Sequence, residues 1–359
     1  ENGYTFDEYE RLMNYVLSVA DALKCVELRK DKLNELEIKT IDQLLDDVAT
    51  GDDVLNNGFR TPLDEEKENA ANKPLIKTNG KIYAMPATIG SWGWFEALLT
   101  VVRNQEKDDK QKDIDKEVGK LIEYYINEKL DEKGIIHCCG DYIPPAEGEA
   151  DLVVEATKGI MLFEMKKKSL TRKAKSGDTF KIMADLLGSL IDSQAQCFRT
   201  SHILIKEGHV DLDDGKGNMT RVEKQNRTAE CISVCLGAFG PLQDRMLIKC
   251  IMDEMCNKPM TAEYDGTDKQ TIKDVKKFNK DLQKWLTYLN EERVNGDSKT
   301  NSFFNSWFLD LEQLMIIINE ANSNDELLAR LKETKCVTMG SYNFYRERRM
   351  VRMMNFNKE

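Results

Sequence analysis

The clearest hydrophobic periodicity lies in residues 178–206, where apolar positions recur at intervals of three and four. These positions are Met183, Leu186, Leu187, Leu190, Ile191, Cys197, Phe198 and Ile205. Such spacing predicts one long amphipathic helix, and Gly208 is a typical residue at a helix C-terminus. A shorter stripe of the same kind over residues 118–126 predicts another helix earlier in the chain.

Short apolar runs between these two helices predict β-strands. Residues 148–155 and 160–166 form two runs joined by a turn at 156–159, and residues 135–142 form a third run before them. Residues 209–223 predict a hairpin around Asp214-Gly215, and residues 231–239 predict a further strand. Because the order is helix, strands, helix, strand, we expect an α/β fold.

The outer regions are predicted to be mainly helical. We expect helices within 5–48, a long loop over 50–80, a short strand at 81–87 and a helix at 95–102. After residue 240, helices are expected at about 241–257, 269–292, 307–322 and 324–333. The predicted organisation is therefore a helical N-terminal region with a long loop (1–112), an α/β core (113–258) and a helical C-terminal region (259–359).

The predicted hairpin carries charges where a buried strand normally has apolar residues. Asp151 begins the first strand, and Glu164 and Lys166 share one face of the second because they are two residues apart. Antiparallel pairing brings Asp151 close to Glu164, and two adjacent carboxylates raise each other's pKa. A divalent cation relieves that repulsion, and oxygen ligands alone favour Mg²⁺ or Mn²⁺. A nearby lysine can orient or activate a water molecule.

This pattern of Asp, then Glu-x-Lys, on a hairpin between two helices resembles the PD-(D/E)XK, or restriction-endonuclease-like, nuclease superfamily. The resemblance covers about residues 115–240 and departs from the motif at Ala150, which stands in the position of the proline. It implies a mixed sheet flanked by helices, with helical extensions at both ends. It also implies that Asp151 and Glu164 bind the metal and that Lys166 assists attack by water. The alternative is an exposed strand end with a surface ion pair.

Two further side chains are candidates for the same site. Glu149 lies on the same strand face as Asp151, two residues earlier, and is either a third metal ligand or a marker of the strand end. Gln194 falls in the middle of the apolar stripe of the long helix, so it needs hydrogen-bond partners. The resemblance implies that a glutamine on this helix contacts the site, and the alternative is a structural glutamine bonded to backbone.

The helix before the hairpin offers a completing carboxylate. The resemblance implies a Gly-x-x-x-Glu arrangement there, which Gly119 and Glu123 match. Glu123 flanks the apolar stripe, so half-burial near the site and full solvation are both compatible with its position. Glu117 and Glu128 are the alternatives on the same helix.

A basic segment follows the hairpin. Residues 166–178 contain six cations and one acid in a chain whose net charge is −11. We predict that five of its cations bind the nucleic-acid backbone: Lys167, Lys168, Arg172, Lys173 and Lys175. The alternative is a solvated loop. A second cluster comprises Arg346, Arg348, Arg349 and Arg352, and the sequence does not favour any one partner for it.

The composition indicates the redox compartment and argues against a zinc site and a membrane span. The nine cysteines are scattered without a Cys-x-x-Cys pair, which is typical of free thiols in a reducing, cytoplasmic protein. Only three histidines are present, which disfavours zinc. No apolar run is long enough to predict a membrane span. The chain starts at Glu1 without a signal-peptide pattern, so it can be a piece of a longer protein.

We therefore expect a Mg²⁺- or Mn²⁺-dependent nuclease that acts on DNA, with RNA not excluded. The resemblance implies products with 5′-phosphate and 3′-hydroxyl ends, and restriction or anti-phage defence as a context. The C-terminal helical region is a candidate contact for a second copy or for a larger defence complex. The alternative is a binding or assembly protein that keeps the nuclease fold without its chemistry. A nucleotide-activated effector would need a sensing domain, which the sequence does not reveal.

Overall fold

A computed structural model describes residues 3–51, 53–61, 63–64, 72–105, 108–143, 148–258, 260–297, 301–337 and 339–356. The chain forms two compact units. The first comprises Glu1–Glu117 with Lys175–Gly177, and the second comprises Val118–Ala174 with Asp178–Glu359. Among the described residues, no helix combines the length and the apolar character that crossing a membrane requires.

The first unit contains four short strands as well as helices. Its elements are α1 (Phe6–Val19), β1 (Val26–Glu27), α2 (Lys30–Asn34), α3 (Ile41–Val48), β2 (Ala49–Gly51), β3 (Leu75–Thr78), β4 (Lys81–Ala84) and α4 (Ala87–Gln105). The strands form a sheet in the order β1-β4-β3-β2. The expectation of an N-terminal region with only one strand was therefore wrong.

The turn between β3 and β4 explains part of that error. Asn79 and Gly80 both have positive φ, 50° and 71°, and they join the two antiparallel strands as a two-residue turn. Asn-Gly is the preferred sequence for such a hairpin, so the signal was present inside the predicted loop over 50–80. Residues 65–71 of that loop lie outside the described part of the chain.

Helix α5 (Asp108–Glu132) runs into the second unit. The strands that follow are β5 (Cys138–Tyr142), β6 (Glu149–Ala156), β7 (Gly159–Lys166), β8 (His209–Asp213), β9 (Met219–Glu223), β10 (Thr228–Cys235) and β11 (Ser306–Asp310). The helices are α6 (Arg172–Lys175), α7 (Thr179–Leu186), α8 (Asp192–Glu207), α9 (Arg245–Asn257), α10 (Lys269–Asn295), α11 (Leu311–Asn319), α12 (Asn324–Lys332) and α13 (Phe344–Phe356).

The seven strands of this unit form one mixed sheet in the order β11-β10-β7-β6-β5-β8-β9. Strand β10 runs parallel to both β7 and β11, and the remaining neighbours pair antiparallel. The predicted α/β class with a mixed sheet and flanking helices is thereby confirmed.

Strand β11 corrects the prediction that residues 307–322 are helical throughout. All five of its residues are buried, and a short apolar run does not distinguish a buried strand from a buried helix. The helix begins only after Asp310, whose carboxylate accepts a hydrogen bond from Gln313 N at 2.8 Å in a capping box. The C-terminal region therefore contributes an edge strand to the sheet.

Helices cover both faces of the sheet at β7. Ile160 and Leu162 pack in a cluster with residues of α8, α9 and α10. Met161 and Phe163 point the other way, into a cluster with residues of α5, α11 and α12. Every residue of β7 is buried except Lys166, which is partly exposed. Strand β7 is thus a central strand that is covered on both faces.

The predicted long helix is confirmed as α7 and α8, which are continuous through a π-helical turn. Asp178 caps α7 by accepting from Lys181 N at 3.0 Å, and the π-helical turn at Leu187–Ile191 joins α7 to α8. Such turns insert an extra residue and change the face that a helix presents. At the other end, Gly208 has the left-handed conformation, with φ 79°, of a C-terminal cap.

Candidate active site

Asp151 lies at a β-bulge. Strand β6 pairs with β5 through Cys138↔Val153 and Gly140↔Ala150, so the step between these pairs contains one more residue on β6 than on β5. A bulge bends a strand and redirects its side chains. Asp151 is half-buried, and its Oδ2 accepts a hydrogen bond from Met165 N at 2.7 Å. This bond joins the start of β6 to the end of β7.

Glu164 is the neighbouring carboxyl group on β7. Its side chain is 1% exposed, and its Oε2 is buried without a hydrogen-bond partner. Burial, followed by the negative charge of Asp151, raises its pKa well above the usual value, while Lys166 acts in the opposite direction. The structure therefore brings Asp151, Glu164 and Lys166 together at one end of the hairpin.

Glu123 of α5 belongs to the same group. It is half-buried, and burial raises its pKa, as do the charges of Asp151 and then Glu149, while Lys166 lowers it. The alternatives Glu117 and Glu128 are both exposed. Glu149 is exposed as well, so it lies at the rim of the site.

Gln194 of α8 contacts β10, the strand beside β7, where its partner Ser233 is paired with Glu164. Its side chain is fully buried, and its Nε2 donates to Cys231 O at 3.1 Å, to Ser233 Oγ at 2.9 Å and to Trp307 O at 3.0 Å. These hydrogen bonds attach α8 to β10 and β11. The bonds of Nε2 to backbone carbonyls match the structural alternative for Gln194, although its Oε1 is buried without a partner.

The basic segment is exposed and anchored at one point. Lys167, Lys168, Arg172, Lys173 and Lys175 are all exposed. Asp185, which is buried, accepts from both the N and the Oγ1 of Thr171 at 2.8 Å, and this holds the segment against α7. Lys167, Arg172 and Lys173 also interact with other parts of the chain, so binding to a phosphate would require an exchange of partners.

The surroundings of Glu164 include two residues that the sequence analysis missed. Tyr142 of β5 is buried, and its hydroxyl lies 2.6 Å from Thr200 Oγ1. Burial raises the pKa of Tyr142 to about 12, and the charge of Glu164 contributes to the rise. Cys197 of α8 donates to Leu162 O at 3.4 Å and also raises the pKa of Glu164. The position of Cys197 in the apolar stripe of the long helix indicated that it would be buried against the sheet. Nothing in the sequence around Tyr142 indicated that it would lie near Glu164.

The C-terminal arginine cluster is partly structural. Arg348 donates to Glu320 Oε2 at 2.7 Å, and Arg352 donates to Glu333 Oε1 at 3.0 Å. These bonds attach α13 to the ends of α11 and α12, which accounts for two of the four arginines.

The residues present fit a divalent cation only in part. Among the described residues, no three His, Cys, Asp or Glu side chains are grouped as a ready-made metal site. Asp151 and Glu164 nevertheless supply two adjacent carboxylates, and the buried Oε2 of Glu164 lacks a partner that a cation would provide. Oxygen donors of this kind suit Mg²⁺ or Mn²⁺, with Glu123 or Glu149 nearby as a further donor.

Comparisons with protein-family models, curated proteins and solved structures find no match to this chain.

Proposed function

We propose that the chain is a metal-dependent nuclease that hydrolyses phosphodiester bonds, with DNA as its substrate. The observation that carries the proposal is the buried Glu164, whose Oε2 has no partner and whose pKa is raised by burial and by Asp151. A buried carboxyl group of this kind is costly to maintain, and perturbed pKa values are concentrated at functional sites.

Each residue has a distinct role in this proposal. Asp151 and Glu164 hold Mg²⁺ or Mn²⁺, with Glu123 or Glu149 completing the set of ligands. The bound ion would stabilise the negative charge that develops on the phosphate. Lys166, at the end of β7, orients the attacking water. Exposed cations hold the phosphate backbone: Lys167, Lys168, Arg172, Lys173 and Lys175.

The arrangement of elements supports a restriction-endonuclease-like core as part of the proposal. The hairpin β6–β7 follows the Glu123-bearing helix α5 and precedes α7 and α8, which is the order that the resemblance implies. Restriction or anti-phage defence remains the context that the resemblance proposes. A second copy or a larger complex would bind through exposed surface of the C-terminal region, since β11 itself is buried in the sheet.

A second function is a binding or assembly protein without catalysis. It is favoured by the absence of a three-ligand group among the described residues and by the hydrogen bond that ties Asp151 to Met165 N. In that case Asp151, Glu164 and Lys166 are a buried structural network, and the protein binds a partner without cutting it.

Cleavage of plasmid DNA and of a labelled RNA in Mg²⁺ or Mn²⁺ tests the proposal. The variants are Asp151→Asn and Lys166→Ala, beside two matched controls. Lys158→Ala removes an exposed lysine from the turn of the same hairpin, and Glu223→Gln neutralises an exposed carboxylate on β9. We expect wild type and both controls to cut DNA, and both site variants to lose cleavage.

The outcomes separate the two functions. If Asp151→Asn and Lys166→Ala cut as fast as wild type, the assigned site is wrong. If wild type cuts neither substrate but binds Mn²⁺ through Glu164, the site is a metal site that lacks its activating signal. If it neither cuts nor binds Mn²⁺, the non-catalytic function is favoured. Preferential cutting of RNA would change the substrate and keep the site.

A further inference from the structure

We propose that Gly148, Tyr142 and Arg199 form a binding site for a phosphate group of the nucleic-acid backbone. This inference rests on the proposed nuclease function and adds a substrate-binding residue, Arg199, that lies outside the basic segment. These three residues are called the Arg199 cradle below.

The first support is the close contact of Arg199 with the backbone at Gly148. A Cβ atom added to Gly148 would lie 2.3 Å from Arg199 Nη2 and 2.5 Å from Cζ, and the φ of Gly148 is +125°. The positive φ favours glycine at this position, and a side chain there would displace the guanidinium. The guanidinium of α8 therefore lies directly on the chain one residue before Glu149 and three residues before Asp151.

The second support is the aromatic ring beneath the cation. The Cζ of Arg199 lies 5.4 Å from the centroid of the Tyr142 ring, which is within the range of a cation–π interaction. The Tyr142 hydroxyl is held by Thr200 at 2.6 Å. The charge of Arg199 lowers the pKa of Tyr142, whereas the charge of Glu164 raises it.

The third support is the unused hydrogen-bonding capacity of Arg199. Its Nε is buried without a partner, and within the described part of the chain it forms no ion pair with a carboxylate. A guanidinium has five N–H donors in a planar fork. Leaving the Nε N–H buried and unpaired is unfavourable, and the terminal N–H groups can donate to a phosphate, which accepts two such bonds at once.

The cradle is also accessible. Arg199 lines an open groove of about 830 Å³ that includes Ile143 and His202. Three acids line the groove, and each has a basic neighbour. Asp211 accepts hydrogen bonds of 2.7 and 2.8 Å from Arg221, Glu207 lies 3.4 Å from Lys206, and Glu291 lies 3.6 Å from His202. A phosphate in the groove can therefore reach Arg199, which contacts the chain at Gly148 immediately before β6.

Binding of a short fluorescent DNA duplex, measured by anisotropy at several NaCl concentrations in Ca²⁺, tests the inference. Arg199→Met removes the charge but keeps an unbranched side chain, and Arg349→Met removes an exposed arginine from α13 as the matched control. We expect Arg199→Met to weaken binding about tenfold, as for a charge-assisted hydrogen bond. The slope of log K against log salt should fall by about 0.9, the value for one phosphate. Arg349→Met should change neither.

Arg199→Lys keeps the charge and covers the case in which Arg199→Met fails to fold. It should retain the salt slope and lose several-fold in affinity, because lysine does not bind a phosphate in a bidentate manner. If wild type binds and cuts DNA but neither Arg199 variant differs from it, the cradle is wrong and the nuclease function stands. If wild type neither binds nor cuts nucleic acid, the Arg199 cradle and the proposed nuclease function are both wrong.

Discussion

Two buried carboxyl groups on neighbouring strands have opposite environments. Glu230 on β10 is fully buried and is held by Lys335 at 2.6 Å, by Lys332 at 3.0 Å and by the indole Nε1 of Trp307 at 2.9 Å. Glu164 on β7 is 1% exposed, and its Oε2 has no partner. The protein therefore compensates one buried acid with its own cations and leaves the other incompletely compensated.

The faces of the sheet account for this difference. Glu230 shares one face of β10 with Ile232 and Val234, which pack in the cluster on the α12 side. Lys332 and Lys335 lie on that side and bind Glu230. Glu164 shares one face of β7 with Ile160 and Leu162, which pack against α8. The groups near it include Asp151 and Cys197. Burial alone does not identify a functional acid. The absence of a compensating partner is the more informative property.

Cleavage should show the largest difference between the two acids. Glu164→Gln removes a metal ligand, and we expect cleavage to fall by roughly a thousandfold, or several kcal/mol of transition-state stabilisation. Glu230→Gln should leave the rate per folded molecule unchanged. The measurement is the initial rate of plasmid nicking, corrected for the folded fraction. Equal losses in both variants would mean that Glu164 has no special role.

Stability should show the reverse order. Glu230→Gln leaves Lys332 and Lys335 without their carboxylate, and breaking a buried ion pair in this way costs about 3–5 kcal/mol. Glu164→Gln in the metal-free protein should not reduce the free energy of unfolding, since it removes an acid with a raised pKa. Urea denaturation in EDTA measures both values. A large loss of stability in Glu164→Gln would support the structural alternative.

Gln194 should affect stability and not chemistry. Its Nε2 makes three hydrogen bonds to β10 and β11, so we expect Gln194→Met to cost about 1–3 kcal/mol through the unsatisfied groups that it leaves. Cleavage per folded molecule should stay within a few-fold of wild type. A loss of cleavage comparable to that of Asp151→Asn, without loss of stability, would instead place Gln194 in the catalytic machinery.

The pH dependence of stability should show a smaller effect. The pKa of Glu164 is raised in the folded state, so between its usual and its raised value the folded protein keeps a proton that the unfolded chain has released. Stability therefore falls as pH rises through this window, by at most about 1.4 kcal/mol per pH unit. Glu164→Gln should remove this slope. The pKa values of Glu123, Glu292 and Asp310 are raised too, and these groups add slopes of the same sign. The contribution of Glu164 is therefore measured as the difference in slope between wild type and Glu164→Gln.

The hairpin and its charges could be predicted from the sequence because they depend on local patterns. The alternation of apolar residues and the two-residue turn at Thr157-Lys158 determine which residues of β6 and β7 face each other. The bulge at Asp151 could not be predicted, because it arises from pairing with β5. The Asn79-Gly80 hairpin was predictable and was missed.

The partners of Glu230 show why the compensation of buried charges could not be predicted from the sequence. Trp307 is 77 residues away and Lys335 is 105 residues away in the chain. Nothing in the run Thr228–Cys235 distinguishes a compensated glutamate from an uncompensated one. Similarly, the position of Glu123 on α5 left half-burial and solvation equally open until the helix was placed against the sheet.

Binding of Mn²⁺ tests the central claim most directly. Isothermal titration at mildly alkaline pH should detect a site in wild type that is lost in Glu164→Gln and in Asp151→Asn. Affinity should rise with pH, because the ion displaces the proton that the raised pKa of Glu164 retains. Glu223→Gln, and Glu230→Gln where it folds, should bind Mn²⁺ as wild type does. Absence of binding in wild type, or binding that survives in both site variants, would contradict the account.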